Sequence, residues 1–237
     1  MSKSETTSES KVSQSSVRIQ PASVALDHGQ SDEDLARADL YGLLAELFGA
    51  PPPDALFNRI AASPKANADD PDTPLTRAWR DLVGASASLA PVAIRAEYSA
   101  LFEAVGKPEV VPNGSFYLAG ALNQRPLVEL REALAQFGIE RDPQATETED
   151  HIAAVCEVMR FLVAGEVTDD GGAPTDLLAA QRQFFQGHLG NWVFDFLQAL
   201  EQHRHAAFYA AVAQFARAFF EVEQQAFDIY SAGIESA

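Results

Sequence analysis

Apolar residues return every three to four positions along most of this chain, the period of helices that each bury one side. The first such run, "SDEDLARADLYGLLAELFGAP", opens on Ser31, whose hydroxyl suits a helix start. The acids Asp32, Glu33 and Asp34 follow in the first turn, where they oppose the positive end of the helix dipole. Leu35, Leu40, Leu43, Leu44, Leu47 and Phe48 make the stripe, and Gly49 with Pro51, Pro52 and Pro53 ends it. A shorter helix is predicted over residues 54–62, then a polar loop, "KANADDPDTP", and another helix around 75–83. "PVAIRAEYSALFEAVG" begins with proline, which fits a first helical turn, and finishes on glycine.

The period disappears across residues 106–120, "GKPEVVPNGSFYLAG", where two prolines and an Asn-Gly pair predict an ordered connecting loop. Beyond it a helix is predicted over 126–137 and another directly after "TETEDH" (residues 146–151). A Gly-Gly-Ala-Pro break at 171–174 precedes two long helical segments. One carries Phe185, Leu189, Trp192, Phe196 and Leu200, the other Phe208, Val212, Phe215, Phe219 and Val222. No strand alternation of comparable length competes, and no internal repeat is visible. The expected fold class is all-α: a single-domain helical bundle over residues 31–237 with an ordered mid-chain loop.

Residues 1–30 are rich in Ser, Thr and Gln and lack the apolar run of a secretory signal, so they read as a disordered tail. No stretch approaches the roughly 20 apolar residues that span a bilayer. A single cysteine, Cys156, lies within an apolar helical pattern and excludes an intrachain disulfide, which suits a reducing compartment and points to the cytoplasm. Seventeen basic against 34 acidic residues give a net charge of −17. Such a surface repels phosphate backbones, argues against nucleic-acid binding and favours cationic partners.

"TETEDH" concentrates the candidate chemistry. Thr146 and Glu149 have the spacing of a capping box. Glu147 and His151, four apart, could share a helix face as metal ligands, and a metal-dependent helical enzyme using Glu147, Asp150 and His151 is one reading. No second histidine stands at ligand spacing nearby, because His203 and His205 are two apart and would leave opposite sides of a helix. Cys156 is expected to be buried and inert, and neither a nucleophile elbow nor a phosphate-cradling glycine loop is present. A docking reading also stands: carboxylates at a helix mouth, near the aromatic Gly-Ser-Phe-Tyr loop, suit a peptide carrying arginines. A generic helical adaptor that binds elsewhere is the third alternative.

Three stretches together resemble the TorD/DmsD/NarJ family of redox-enzyme maturation chaperones. "YSALFEAVGKPEVVPNGSFYL" is similar to the family's Leu-Phe pair and following loop, "ETEDHI" to its Glu-Pro-x-Asp-His signature, and "FFQGHLGNWVFDFLQAL" to its His-Leu-x-x-Trp helix. Their order and separations also agree, and the resemblance spans about residues 32–230. It implies an all-α, non-enzymatic cytoplasmic protein. Such a protein binds the leader, often of twin-arginine type, or the body of a molybdoenzyme catalytic subunit, of the formate dehydrogenase or dimethyl sulfoxide/trimethylamine N-oxide reductase type. It holds that client until the molybdenum cofactor is inserted and before export. The resemblance implies no cofactor or metal of its own, and leaves open a transient contact with the client's molybdopterin guanine dinucleotide.

Carried over by position, Asp150 and His151 match the signature pair implicated in leader recognition, Glu147 its opening acid, and Gly114, Ser115 and Tyr117 the loop facing it. Thr148 departs from the usual proline and Asn113 from the usual aromatic, which implies an altered leader pocket or an unusual client. His188 and Trp192 read as packing residues. A monomer is expected, with helix exchange across the mid-chain loop as the alternative dimer. On this reading Asp150→Ala with His151→Ala weakens client binding and leaves melting nearly unchanged.

Overall fold

The computed structural model of the protein describes residues 19–21, 31–63, 71–103, 107–166 and 176–235. Among these residues lie ten helices: α1 (Asp32–Gly49), α2 (Asp54–Ala61), α3 (Pro74–Ser88), α4 (Pro91–Phe102), α5 (Gly114–Ala119), α6 (Arg125–Gln136), α7 (Ile152–Val163), α8 (Leu177–His188), α9 (Val193–Glu201) and α10 (Phe208–Glu235). The fold is all-α. None of these helices is long and apolar enough to cross a membrane.

At the centre lies α7, buried on nearly every side, with Glu157 and Arg160 the two side chains that escape. A helix apolar all round must be surrounded by others. Helix α1 runs along it through small residues, and a Cβ added at Gly49 would sit 3.5 Å from that of Ala153. The capping box expected at Ser31 is formed with Asp34. Helix α10 closes the bundle against α3 and α9, its Phe208, Tyr209, Phe215, Phe219 and Phe220 all in the core. Leu35 and Val222, part of the apolar stripes, are exposed instead.

Polar groups tie the helices at defined points. The Tyr98 and Tyr209 hydroxyls donate to the Phe48 and Leu47 carbonyls at 3.1 and 2.8 Å, satisfying the carbonyls that α1 leaves free at its end. Glu97 on α4 accepts from the N–H groups of Ala207, Phe208 and Tyr209 at 2.9, 3.1 and 2.7 Å, so it caps α10 from another helix. Arg37 of α1 grips the buried Glu223 of α10 through two 2.8 Å bonds, and the Tyr41 hydroxyl adds a third at 2.9 Å.

Three expectations change. Within the serine-rich tail, Ile19–Pro21 (β1) pairs antiparallel with Ile139–Arg141 (β2), Ile19 opposite Arg141. A three-residue strand is too short for a periodic signal, and the rest of the expected disordered tail lies outside the described residues. The mid-chain loop contains α5, whose six residues span less than two turns and so show no period. The single segment expected from Phe185 to Leu200 is broken at residues 189–192 into α8 and α9. There Gly190 passes against the Phe185 ring, where a Cβ would come within 2.8 Å.

Candidate functional site

Two remote segments cross where α5 and α7 begin. The Gly114 N–H donates to the Asp150 carbonyl at 2.9 Å and the Ile152 N–H to that of Pro112 at 2.8 Å, giving a one-residue antiparallel bridge between Asn113 and His151. The His151 N–H closes a turn onto the Thr148 carbonyl at 3.1 Å.

Asp150 sits in this crossing, 5 % exposed. Its Oδ2 accepts the Ser115 N–H at 2.9 Å and the Ser115 hydroxyl, and its Oδ1 accepts the Thr148 hydroxyl at 2.6 Å and the Asn113 amide at 3.3 Å. Burial alone pushes the carboxyl up, but the hydrogen bonds from Ser115, Thr148 and Asn113 outweigh it and hold the group below the usual carboxylate range. The two positions where the sequence departs from the family signature, Asn113 and Thr148, are therefore both donors to this carboxylate, and they bond each other at 3.1 Å.

His151 is 3 % exposed, and its Nδ1 accepts the Ala153 N–H at 3.2 Å. It is the cap of α7. Burial pushes its pKa down to about 4, against the opposing pull of Asp150, so the ring is neutral with its proton on Nε2. Thr146 and Glu149, expected to cap this helix, are not its cap, because the turn at Thr148 delays the helix to Ile152 and His151 takes the capping position. Glu149 is instead clamped by Arg131 of α6, through bonds of 3.0 and 2.8 Å. Glu147 is half-buried; burial raises its pKa, opposed by Arg141, whose guanidinium also holds the Glu147 carbonyl at 3.1 Å. Among the described residues, Glu147, Asp150 and His151 form no convergent set of metal ligands.

Of the six residues expected to form one site, Gly114, Ser115 and Asp150 line a cavity of about 220 Å³ whose other walls include Leu118, Pro126, Glu129, Leu130, His188 and Trp192. Glu147, His151 and Tyr117 are not among its walls. The Tyr117 ring lies nearly parallel to Trp192, at 5.8 Å and 19°. Trp192 is buried, as its reading as a packing residue requires, yet its indole also forms a cavity wall. The indole N–H donates to the His188 carbonyl at 2.8 Å, and its edge passes so near Gly114 that a Cβ there would lie 2.9 Å away. Glu129 and Leu130 carry no motif that would have marked them; Leu118 closes the loop motif without being singled out by it, and His188 and Trp192 belong to another, but their helical spacing reads as core.

Cys156 is buried as expected, and burial pushes its thiol up and keeps it inert. His203 and His205 are not on a helix: they lie in the connection between α9 and α10 and converge on one carboxylate, that of Glu109.

Residues 68–198 match the model of the family described as "Nitrate reductase delta subunit". Among curated proteins, the chain is similar to the chaperone protein TorD of Vibrio parahaemolyticus, 26% identical over 133 residues, covering 55% of this chain and 62% of that protein. It is also similar to TorD of Escherichia coli O81, 26% identical over 196 residues, covering 79% of this chain and 94% of that protein. The match to the Vibrio relative therefore spans less than two thirds of that protein's length. Among solved structures, the fold is similar to that of a redox enzyme maturation protein from Archaeoglobus fulgidus, with a TM-score of 0.53 and 15% identity over 82% of this chain and 97% of the other. With more than half of its length matched to that family model and the Asp-His turn packed against the Gly-Ser helix start, the chain belongs to the nitrate reductase delta subunit family, the TorD/NarJ group of redox-enzyme maturation chaperones.

Proposed function

We propose that this protein is a non-catalytic cytoplasmic chaperone that binds the catalytic subunit of a molybdenum-cofactor oxidoreductase, through its leader peptide, and holds it until cofactor insertion and before export. The observation that carries the reading is the cavity between α5, α6 and the α8–α9 junction. Its walls combine the apolar Leu118, Pro126, Leu130 and Trp192 with the carboxylates of Asp150 and Glu129. Leu118, Leu122 and Val128, from α5, α6 and the connection between them, are 41%, 46% and 53% exposed, an apolar margin that a peptide can cover. The net charge of −17 favours a cationic leader. In this reading Ser115, Asn113 and Thr148 fix the Asp150 carboxylate, while His151 and Glu147 shape the turn that carries it.

The test is calorimetric titration of the protein with synthetic leaders from the host's molybdoenzymes, each paired with a version whose arginines are replaced by glutamine. Saturable binding to one leader, weakened by that replacement and by Leu118→Asp, is the expected result. Absence of binding to every leader overturns leader recognition.

A further inference from the structure

We propose that Glu109, His203 and His205 form a binding site for a divalent transition-metal ion of the zinc, nickel or cobalt type, separate from the cavity described above. The Glu109 Oε2 lies 3.1 Å from His203 Nε2 and 3.1 Å from His205 Nδ1. One ligand atom from each of the three residues falls within 4.8 Å of the other two. Two metal–ligand bonds of about 2.0–2.1 Å at a tetrahedral angle put their donor atoms roughly 3.3 Å apart. The two carboxylate–imidazole separations thus already suit a shared cation.

The donors come from connections on different parts of the fold: Glu109 from the segment before α5, His203 and His205 from the α9–α10 connection. Glu109 is anchored by its neighbour, since the Val110 N–H donates to the Leu101 carbonyl at 3.1 Å. The histidine rings stand 5.4 Å apart at 71°, so their nitrogens reach the carboxylate from different directions. Two imidazoles and one carboxylate are the donor set of borderline cations, whereas magnesium and calcium prefer oxygen alone. The three residues are partly exposed, which gives an ion a path in and leaves its remaining coordination positions to water.

Without a cation the imidazole N–H groups point at the carboxylate. A metal-bound ring nitrogen carries no proton, so in the bound state the proton of each ring sits on its other nitrogen, Nδ1 of His203 and Nε2 of His205. For His203 this costs the bond that its Nδ1 accepts from the His205 N–H, which at 3.3 Å is a weak one. A bound ion ties the segment leading into α5 to the start of α10.

The experiment is titration of tag-free, full-length protein with Zn²⁺ and with Co²⁺, read by calorimetry, by the cobalt visible spectrum and by the melting temperature. Mg²⁺ and Ca²⁺ serve as controls. The proposal expects one saturable site for Zn²⁺ and Co²⁺, a cobalt spectrum of nitrogen–oxygen ligation and a raised melting temperature. His203→Ala and His205→Ala each weaken binding by about tenfold or more, since each leaves two of three protein donors. Glu109→Gln weakens it less, because the amide oxygen still coordinates but brings no charge. Metal-free variants that melt like the parent show that the fold is intact. No saturable binding, or binding unchanged in the His203→Ala/His205→Ala double variant, overturns the proposal and leaves the three residues as a hydrogen-bonded staple.

Discussion

The Asp150 carboxylate caps a helix from a distant segment: its Oδ2 accepts at 2.9 Å the N–H of Ser115, 35 residues earlier, within the first turn of α5. A cap supplied from another segment fixes where two helices start relative to each other. The cavity wall made of Gly114, Ser115 and Leu118 therefore depends on the turn ahead of α7.

Asp150→Ala strands the donors of Ser115, Thr148 and Asn113 in a buried site and is expected to cost about 3 kcal/mol or more. Asp150→Asn, which keeps an acceptor, costs less. Read from sequence, the Asp150/His151 double replacement leaves melting unchanged; the structure reverses that expectation, because both side chains are buried and bonded. Urea unfolding of the variants checks this.

His151 sets a pH dependence of known sign. Its folded pKa of about 4 lies below the ordinary 6.5, so the unfolded chain takes up the proton first. The stability is complete above pH 6.5 and is lost as the pH falls towards 4, by about 3 kcal/mol across that window. His151→Asn keeps an acceptor for the Ala153 N–H and does not titrate, so its stability is expected to fall less than the parent's across that window, the remaining slope coming from other groups such as His188, whose pKa burial also lowers. Asp150, whose folded pKa is depressed below 3.8, contributes stability above that value and loses it only at lower pH. Unfolding free energies measured from pH 7 to 4 separate the two residues.

Gly114→Ala places a methyl group 2.9 Å from the Trp192 indole and forces either the ring or α5 to move. The expected cost is about 1–3 kcal/mol, the usual range for overpacking. In a Trp79→Phe background, where Trp192 is the sole tryptophan, its emission is expected to shift and leader binding to weaken together.

Glu97→Ala removes one acceptor shared by three N–H groups at the start of α10 and is expected to lower stability by about 1–3 kcal/mol. Amide hydrogen exchange at residues 207–209 should accelerate more than in the middle of α10.

The sequence by itself determined most of the helices, their approximate limits and most of the core, though not the short α5 or the break between α8 and α9, because a 3.6-residue period and a cap such as Ser31 are properties of neighbouring positions. The family resemblance, carried over by position from separate stretches of the chain, implied that Gly114, Ser115 and Asp150 lie together, and they do. What it misassigned were relations between distant segments. Glu149 has the spacing of a local cap, but Arg131, 18 residues earlier, holds it, and His151 takes the cap instead. His203 and His205 leave opposite sides of a hypothetical helix, yet a turn brings both to Glu109. Trp192 reads as core from its spacing, and only the packing of Gly114 against its indole makes it a cavity wall. Hydrogen bonds and cavity walls of this kind form when the helices pack, so tertiary structure alone decided them.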